Sequence, residues 1–194
     1  GRGSGIRLAR PVIDEGLAKP VVIGRPGVIE QRLGRLGLRL KPKKDFEIVD
    51  PDDDPRFADY WKHYHGLMER KGVSPDLARN IVRTRNTVIA ALMVRRGDAE
   101  AMICGTSGAF DEHLKHLLDV IGLRRGVRQL SALTAVILPK GTFFVCDTHV
   151  MHDPSAEQIA EAEIAIVGEA ARAAGEVPAG HAFHIEAAGV GDEE

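Results

Sequence analysis

Residues 19–37, KPVVIGRPGVIEQRLGRLG, set out a strand, a turn and a helix in one run. Lys19-Pro20 leads into Val21-Val22-Ile23, a short β-branched stretch; Gly24-Arg25-Pro26-Gly27 breaks it; Ile29, Leu33 and Leu36 then recur at helical spacing. This is half of a βαβ unit and places the chain in the α/β class. Downstream, Phe46 to Val49 is a second apolar run, and Asp50-Pro51-Asp52-Asp53-Asp54-Pro55 after it offers a helix N-cap with proline at the first helical position, so a helix is predicted from Pro55.

Phe57, Tyr60, Trp61, Tyr64, Leu67 and Met68 continue that helix at three- and four-residue spacing, with Gly72 as its C-cap. Ser74-Pro75 opens another helix through Leu77, Ala78, Ile81 and Val82. Thr87 to Arg96 is apolar almost all round and predicts a buried helix. Ala101 to Gly105 reads as a short core strand. Asp111 caps a helix carrying Leu114, Leu117, Leu118 and Ile121 and ending at Gly122. Ser131 to Leu138 and Thr142 to Thr148, joined by Pro139-Lys140-Gly141, predict a hairpin that adds an antiparallel element to the sheet. Ser155 and Gln158 form a capping box for a helix running to Gly175, and the pattern after it is tail-like.

Composition bounds the function. The chain has 194 residues, 44% of them hydrophobic, enough to bury the core of one domain, or of one domain plus a small lobe. Lys and Arg total 26 against 28 Asp and Glu, a net charge of -2, so no global basic field recruits nucleic acid or anionic lipid. The longest apolar stretches fall far short of the roughly 20 residues that span a bilayer. The first residues, Gly1 to Arg10, hold no continuous apolar segment of the secretory kind. The two cysteines, Cys104 and Cys146, both lie in apolar runs and suit reduced, buried thiols in a cytoplasmic protein.

Chemistry is carried by a few local features. Cys104-Gly105-Thr106-Ser107-Gly108-Ala109 lies between strand-like and helical segments, where an α/β sheet offers backbone N–H groups to an anion; small residues there equally serve turn geometry alone. Neither the P-loop nor the dinucleotide glycine pattern follows any strand. His113 and His116, with Asp111 or Asp119, and Asp147 with His149, His152 and Asp153, are clusters of metal-ligand type without diagnostic spacing, and no metal site is assigned. Asp147-Thr148-His149 ends a strand, where a carboxylate beside an imidazole can orient it for proton transfer. Arg79, Arg83 and Arg85, and Arg124, Arg125 and Arg128, are two groups able to grip phosphate.

Three phrases carry a resemblance: TVIAALMVRRGDAEAMICGT (87–106), FDEHLKHLLDVIGL (110–123) and LSALTAVILPKGTFFVCDTHVMHDPSAEQIAE (130–161) resemble the phosphate acetyl/butyryltransferase family. The likeness extends back through DPRFADYWKHYHGLMERKG (54–72) to DEGLAKPVVIGRP (14–26). The phrases at 59–75 and 113–127 are most similar to the phosphotransacetylase-like C-terminal domain of large bacterial NADP-dependent malic enzymes.

The resemblance implies a three-layer α/β/α fold like that of isocitrate and isopropylmalate dehydrogenases, mostly parallel with an antiparallel hairpin and incomplete at its C-terminal part. It implies a dimer or other homo-oligomer, with acyl phosphate and coenzyme A meeting in a cleft between lobes. Residues 1–13 are then a flexible or truncated segment, 14–175 a partial phosphotransacetylase-like domain and 176–194 a divergent tail. Free-standing transferases of the family carry a Ser-Thr pair and a following Arg where this chain has Ala109, Phe110 and Lys115, and Met151-His152 replaces an Asn-containing approach to Asp153-Pro154. The family's Ser-x-Lys-Gly-like stretch and distal catalytic Asp have no counterpart after Gly175.

On that resemblance the expected ligand contacts are Arg83, Gly105, Thr106, Ser107, Lys115 and Asp147, with no catalytic residue. The expected role is acetyl-coenzyme A sensing and oligomerisation; NADP and a divalent metal would belong to a parent malic-enzyme domain. The alternative is an active acyltransferase moving an acetyl group between phosphate and coenzyme A.

Overall fold

A computed structural model describes residues 4–105, 108–123, 127–132, 134–139, 141–145, 150–151, 153–162 and 183–185. The chain divides into two compact units, Gly1–Gly122 and Leu123–Glu194, each described by itself.

The first unit is built on the βαβ unit that the sequence announces. Strand β1 (Val21–Ile23), helix α2 (Pro26–Arg35) and strand β2 (Glu47–Val49) form a parallel pair in the register Val21↔Glu47, Val22↔Ile48, Ile23↔Val49. Because successive strand side chains point to opposite faces, each face gets its own core. Val22 and Ile48 pack with Ile29, Leu33 and Phe46 on one side, and Val21, Ile23 and Val49 with the larger cluster on the other. That larger cluster is supplied by α3 (Phe57–Met68), α4 (Pro75–Thr84), α5 (Asn86–Arg96) and α6 (Phe110–Val120).

Helix α1 (Ser4–Asp14) occupies the segment expected to be a flexible or truncated end, and its Ile6 joins the smaller core. Helix α3 starts at Phe57 rather than Pro55. The Asp54 carboxylate, which would have capped a start at Pro55, accepts instead from the backbone N–H of Arg56 at 2.8 Å and from its Nε at 3.0 Å, holding 55–56 in a turn. After Met68 a 3₁₀ turn (Glu69–Lys71) ends on left-handed Gly72.

Helix α4 begins as expected, with Pro75 in its first turn and the Ser74 Oγ accepting from the backbone N–H of Leu77. The expected burial of α5 is also observed: Val88, Ile89, Ala91, Leu92 and Met93 all lie in the core, until Arg95 and Arg96 bring the helix to the surface.

Two expectations fail between α5 and α6. Residues 101–105 form no strand; Ile103 is 77% exposed and Cys104 is an exposed free thiol, not a buried one. The run is apolar, but among the described residues no strand lies beside it to complete its hydrogen bonds. Helix α6 starts one residue ahead of Asp111, with Ala109 at the N-cap and no side-chain cap. Its fully buried residue is Val120, whereas Leu118 and Ile121 are exposed. Leu114 and Leu117 of the stripe read in the sequence are half-buried as expected, but the inward face also takes in half-buried His113 and His116, at the expense of Leu118 and Ile121.

In the second unit β3 (Thr134–Leu138) and β4 (Gly141–Val145) form the expected antiparallel hairpin, Leu138 facing Gly141. Among the described residues the hairpin does not extend the β1–β2 pair but makes its own sheet, with β5 (Phe183–Ile185) parallel to β4. That strand lies in the segment read as a tail. The Ser155 capping box is present: the Ser155 N–H donates to Gln158 Oε1 at 2.7 Å and the Gln158 N–H to Ser155 Oγ at 3.4 Å, opening a helix described over 156–162. Its continuation to Gly175 and Cys146 lie outside the described residues. Among those residues no helix is long and apolar enough to cross a membrane.

Candidate functional site

In a parallel α/β sheet the loops leaving the C-terminal strand ends converge, and ligands are held there. In the first unit these ends are Gly24-Arg25 after β1 and the aspartate-rich loop after β2. The Gly24 N–H donates to the Val49 carbonyl at 2.9 Å, which closes the two ends together. Asn86, the first residue of α5, donates through Nδ2 to the Ile23 carbonyl at 3.2 Å, so the N-terminus of α5 is fastened to the same edge.

Arginines gather here, each with a partner. Arg25 Nε lies 2.9 Å from one oxygen of Asp52 and Arg83 Nε 3.7 Å from the other. Arg83 also stacks over the Phe57 ring at 5.1 Å, and one turn away Arg79 stacks over Trp61 at 4.1 Å while pairing with Asp76. Arg85 reaches Glu112 in the first turn of α6 at 3.9 Å. These are surface pairs of small energy, easily exchanged for a phosphate oxygen.

The contact between α5 and α6 is polar at one end. Thr87 is buried, and its hydroxyl shares a 2.7 Å hydrogen bond with His113 Nδ1. His116, one turn further along α6, has a buried Nδ1 with no hydrogen-bond partner among the described residues. Its pKa is pushed down, chiefly by burial and then by the Arg85 charge, with Lys115 and His113 adding to the effect and Asp119 opposing it. No group of residues suited to a metal ion occurs among those described. Of the cluster read in the sequence, His113 Nδ1 faces Thr87 and Asp119 is paired with Lys71 at 2.6 Å.

The sequence-predicted ligand residues are only partly assembled. Arg83 stands at the strand edge, tied to Asp52 and Phe57. Gly105 is exposed, with a left-handed φ of +98°, and a side chain there would meet open space. Lys115 is exposed on α6 and makes no hydrogen bond or ion pair among the described residues. No such contact joins these three. Thr106, Ser107 and Asp147 lie outside the described residues, as do Arg124, Arg125, His149 and His152. Arg128, of the second arginine group, is paired with Glu161.

Arg25, Asp52, Asn86 and Thr87 were not singled out by sequence reasoning. Thr87 left one signal, as the polar residue immediately ahead of the apolar run Val88 to Val94.

The profile of the phosphate acetyl/butaryl transferase family matches residues 5–179. The chain belongs to that family. Among its relatives, an NAD-dependent malic enzyme from Rhizobium meliloti is 48% identical over 86% of this chain and 22% of its own length. An NADP-dependent malic enzyme from Haemophilus influenzae is 45% identical over 80% and 21%. A phosphate acetyltransferase from Nitratidesulfovibrio vulgaris is 28% identical over 82% and 22%. The chain thus spans about a fifth of the length of these relatives. A phosphotransacetylase structure from Streptococcus pyogenes superposes with a TM-score of 0.70 at 20% identity, covering 80% of this chain and 46% of that one, which establishes a shared fold.

This member of the phosphate acetyl/butaryl transferase family has an apolar entry to α6. Ala109 leaves the helix start without a side-chain cap, and Phe110 beside it is 46% exposed.

Proposed function

We propose that this chain is the phosphotransacetylase-like part of a malic enzyme and that it binds acetyl-coenzyme A without turning it over. The observation that carries the reading is the identity gradient: 45–48% to malic enzymes against 28% to a phosphate acetyltransferase, across a similar share of the chain. A domain kept so close to malic enzymes serves their purpose, and sensing an acyl thioester is a regulatory purpose compatible with the fold.

The entry to α6 supports binding without transfer. Where active transferases are expected to present two hydroxyls and an arginine, this chain presents Ala109, exposed Phe110 and exposed Lys115. An ammonium attracts phosphate as a point charge but does not hold it in the fixed bidentate geometry that aligns a transferring group. The ligand would be held by Arg83, Gly105, Thr106, Ser107, Lys115 and Asp147. The three-layer dehydrogenase-like architecture, the homo-oligomer, the cytoplasmic setting, and the division into 1–13, 14–175 and 176–194 belong to the same proposal. NADP and a divalent metal would be held by a parent malic-enzyme domain, where malate would become pyruvate and carbon dioxide.

The second reading is an active phosphate acyltransferase, favoured by the family membership itself. Thioester formation from acetyl phosphate and coenzyme A separates the two. The purified chain is expected to give no rate above buffer; sustained, enzyme-dependent formation would establish transfer and overturn the non-catalytic reading.

A further inference from the structure

His113 is held from both sides. Its Nδ1 hydrogen-bonds at 2.7 Å to the hydroxyl of Thr87, itself only 8% exposed in the first turn of α5. On the other side of the ring, the backbone at Gly108 comes so close that a Cβ there would lie 2.9 Å from Nε2. Gly108 also has a left-handed φ of +103°. Glycine is therefore required at 108 twice over, by conformation and by the imidazole beneath it. In the tautomer that keeps its proton on Nε2, the Thr87 hydroxyl donates to Nδ1 and the opposite edge of the ring faces the loop.

We propose that His113 is a positioning residue, a latch that holds the backbone at Gly108 against the N-terminal turn of α5. The proposal rests on the ligand reading only in what the latch is for, since Thr106 and Ser107, which precede Gly108 in sequence, are proposed above as acetyl-coenzyme A contacts. His116 serves as a contrast within the same helix. It lies on the same face one turn later, yet its Nδ1 has no partner among the described residues, so it adds burial without a tie. The Thr87 and His113 bond links points 26 residues apart and joins both to the backbone at Gly108. Arg85 and Glu112, which neighbour Thr87 and His113 in sequence and lie 3.9 Å from each other, add only a weak surface attraction.

The test is amide hydrogen exchange over residues 101–110 in the wild-type chain, Thr87→Val and Thr87→Ser, with acetyl-coenzyme A titrated into each. Thr87→Val keeps the shape and removes the hydroxyl; Thr87→Ser keeps the hydroxyl and loses a methyl. Exchange is expected to quicken about fivefold in Thr87→Val, the worth of one net hydrogen bond, and to stay at the wild-type rate in Thr87→Ser. Equal exchange in wild type and Thr87→Val overturns the latch, and so does a Thr87→Ser variant as fast as Thr87→Val, which would make volume the cause. Gly108→Ala, which drives a methyl against the ring, is a second route to the same loosening should Thr87→Val not fold. If the loop loosens as expected while acetyl-coenzyme A binds to none of the three chains, the latch stands and the ligand reading falls.

Discussion

Arg95, in the last turn of α5, donates through one guanidinium nitrogen to the carbonyls of both Val120, at 2.8 Å, and Ile121, at 3.1 Å. Those carbonyls end α6 and have no partner within the helix, so one side chain closes one helix from another. Arg95→Leu, which keeps the aliphatic stem, is expected to cost about 1–2 kcal/mol, read as a lower denaturation midpoint with an unchanged slope.

Acid should weaken the first unit. Burial pushes His116 down from the ordinary value of 6.5, and His63 likewise, there aided by the charges of Arg95 and Arg96. A histidine with a lowered folded pKa takes its proton more readily in the unfolded chain. Stability present at neutral pH is therefore lost as the pH falls below 6.5 towards the folded values. Urea unfolding at about pH 7.5 and about pH 5.5 measures the loss, and His116→Leu is expected to reduce it by roughly half.

The Tyr60 hydroxyl is buried without a hydrogen-bond partner among the described residues, and burial raises its pKa. Removing an unsatisfied hydroxyl takes away a desolvation cost of about 1 kcal/mol. Tyr60→Phe is thus expected to leave thermal stability unchanged or raise it, although it alters one of the largest core side chains. A fall of several degrees would show that the hydroxyl has a partner in solution.

Leu92 and Ile103 test where the core ends. Leu92 is fully buried in α5, and Leu92→Ala is expected to cost about 2–5 kcal/mol. Ile103→Ser is expected to fall within about 0.5 kcal/mol of wild type, because its side chain is exposed. A large cost there would restore the core strand that the sequence suggests.

Much of the first unit was legible because its signals were local. The β-branched run Val21-Val22-Ile23, the Ser74-Pro75 cap and the apolar wrap of α5 each fix their element within a few residues. Non-local terms decided the rest. Ala101 to Gly105 is apolar enough for a strand, but a strand needs a paired neighbour and the described fold gives it none. In α6 the leucines told part of the inward face: Leu114 and Leu117 are half-buried, but Val120 takes the buried position and the His113 ring, apolar in body and polar at the tip, turns inward to Thr87. Pro11 inside α1 hid a helix that is nonetheless anchored by Ile6. Of the candidate site, Arg83 was readable as one of a cluster of arginines, while its counter-ion Asp52 depends on how the β2 loop folds back.

Isothermal titration of acetyl-coenzyme A into the purified chain reads the proposed ligand directly. Saturable heat with one site per chain, weakened in Arg83→Ala and retained in Arg128→Ala, is the expected result. Absence of heat at millimolar acetyl-coenzyme A, in a chain shown by circular dichroism to be folded, would contradict it.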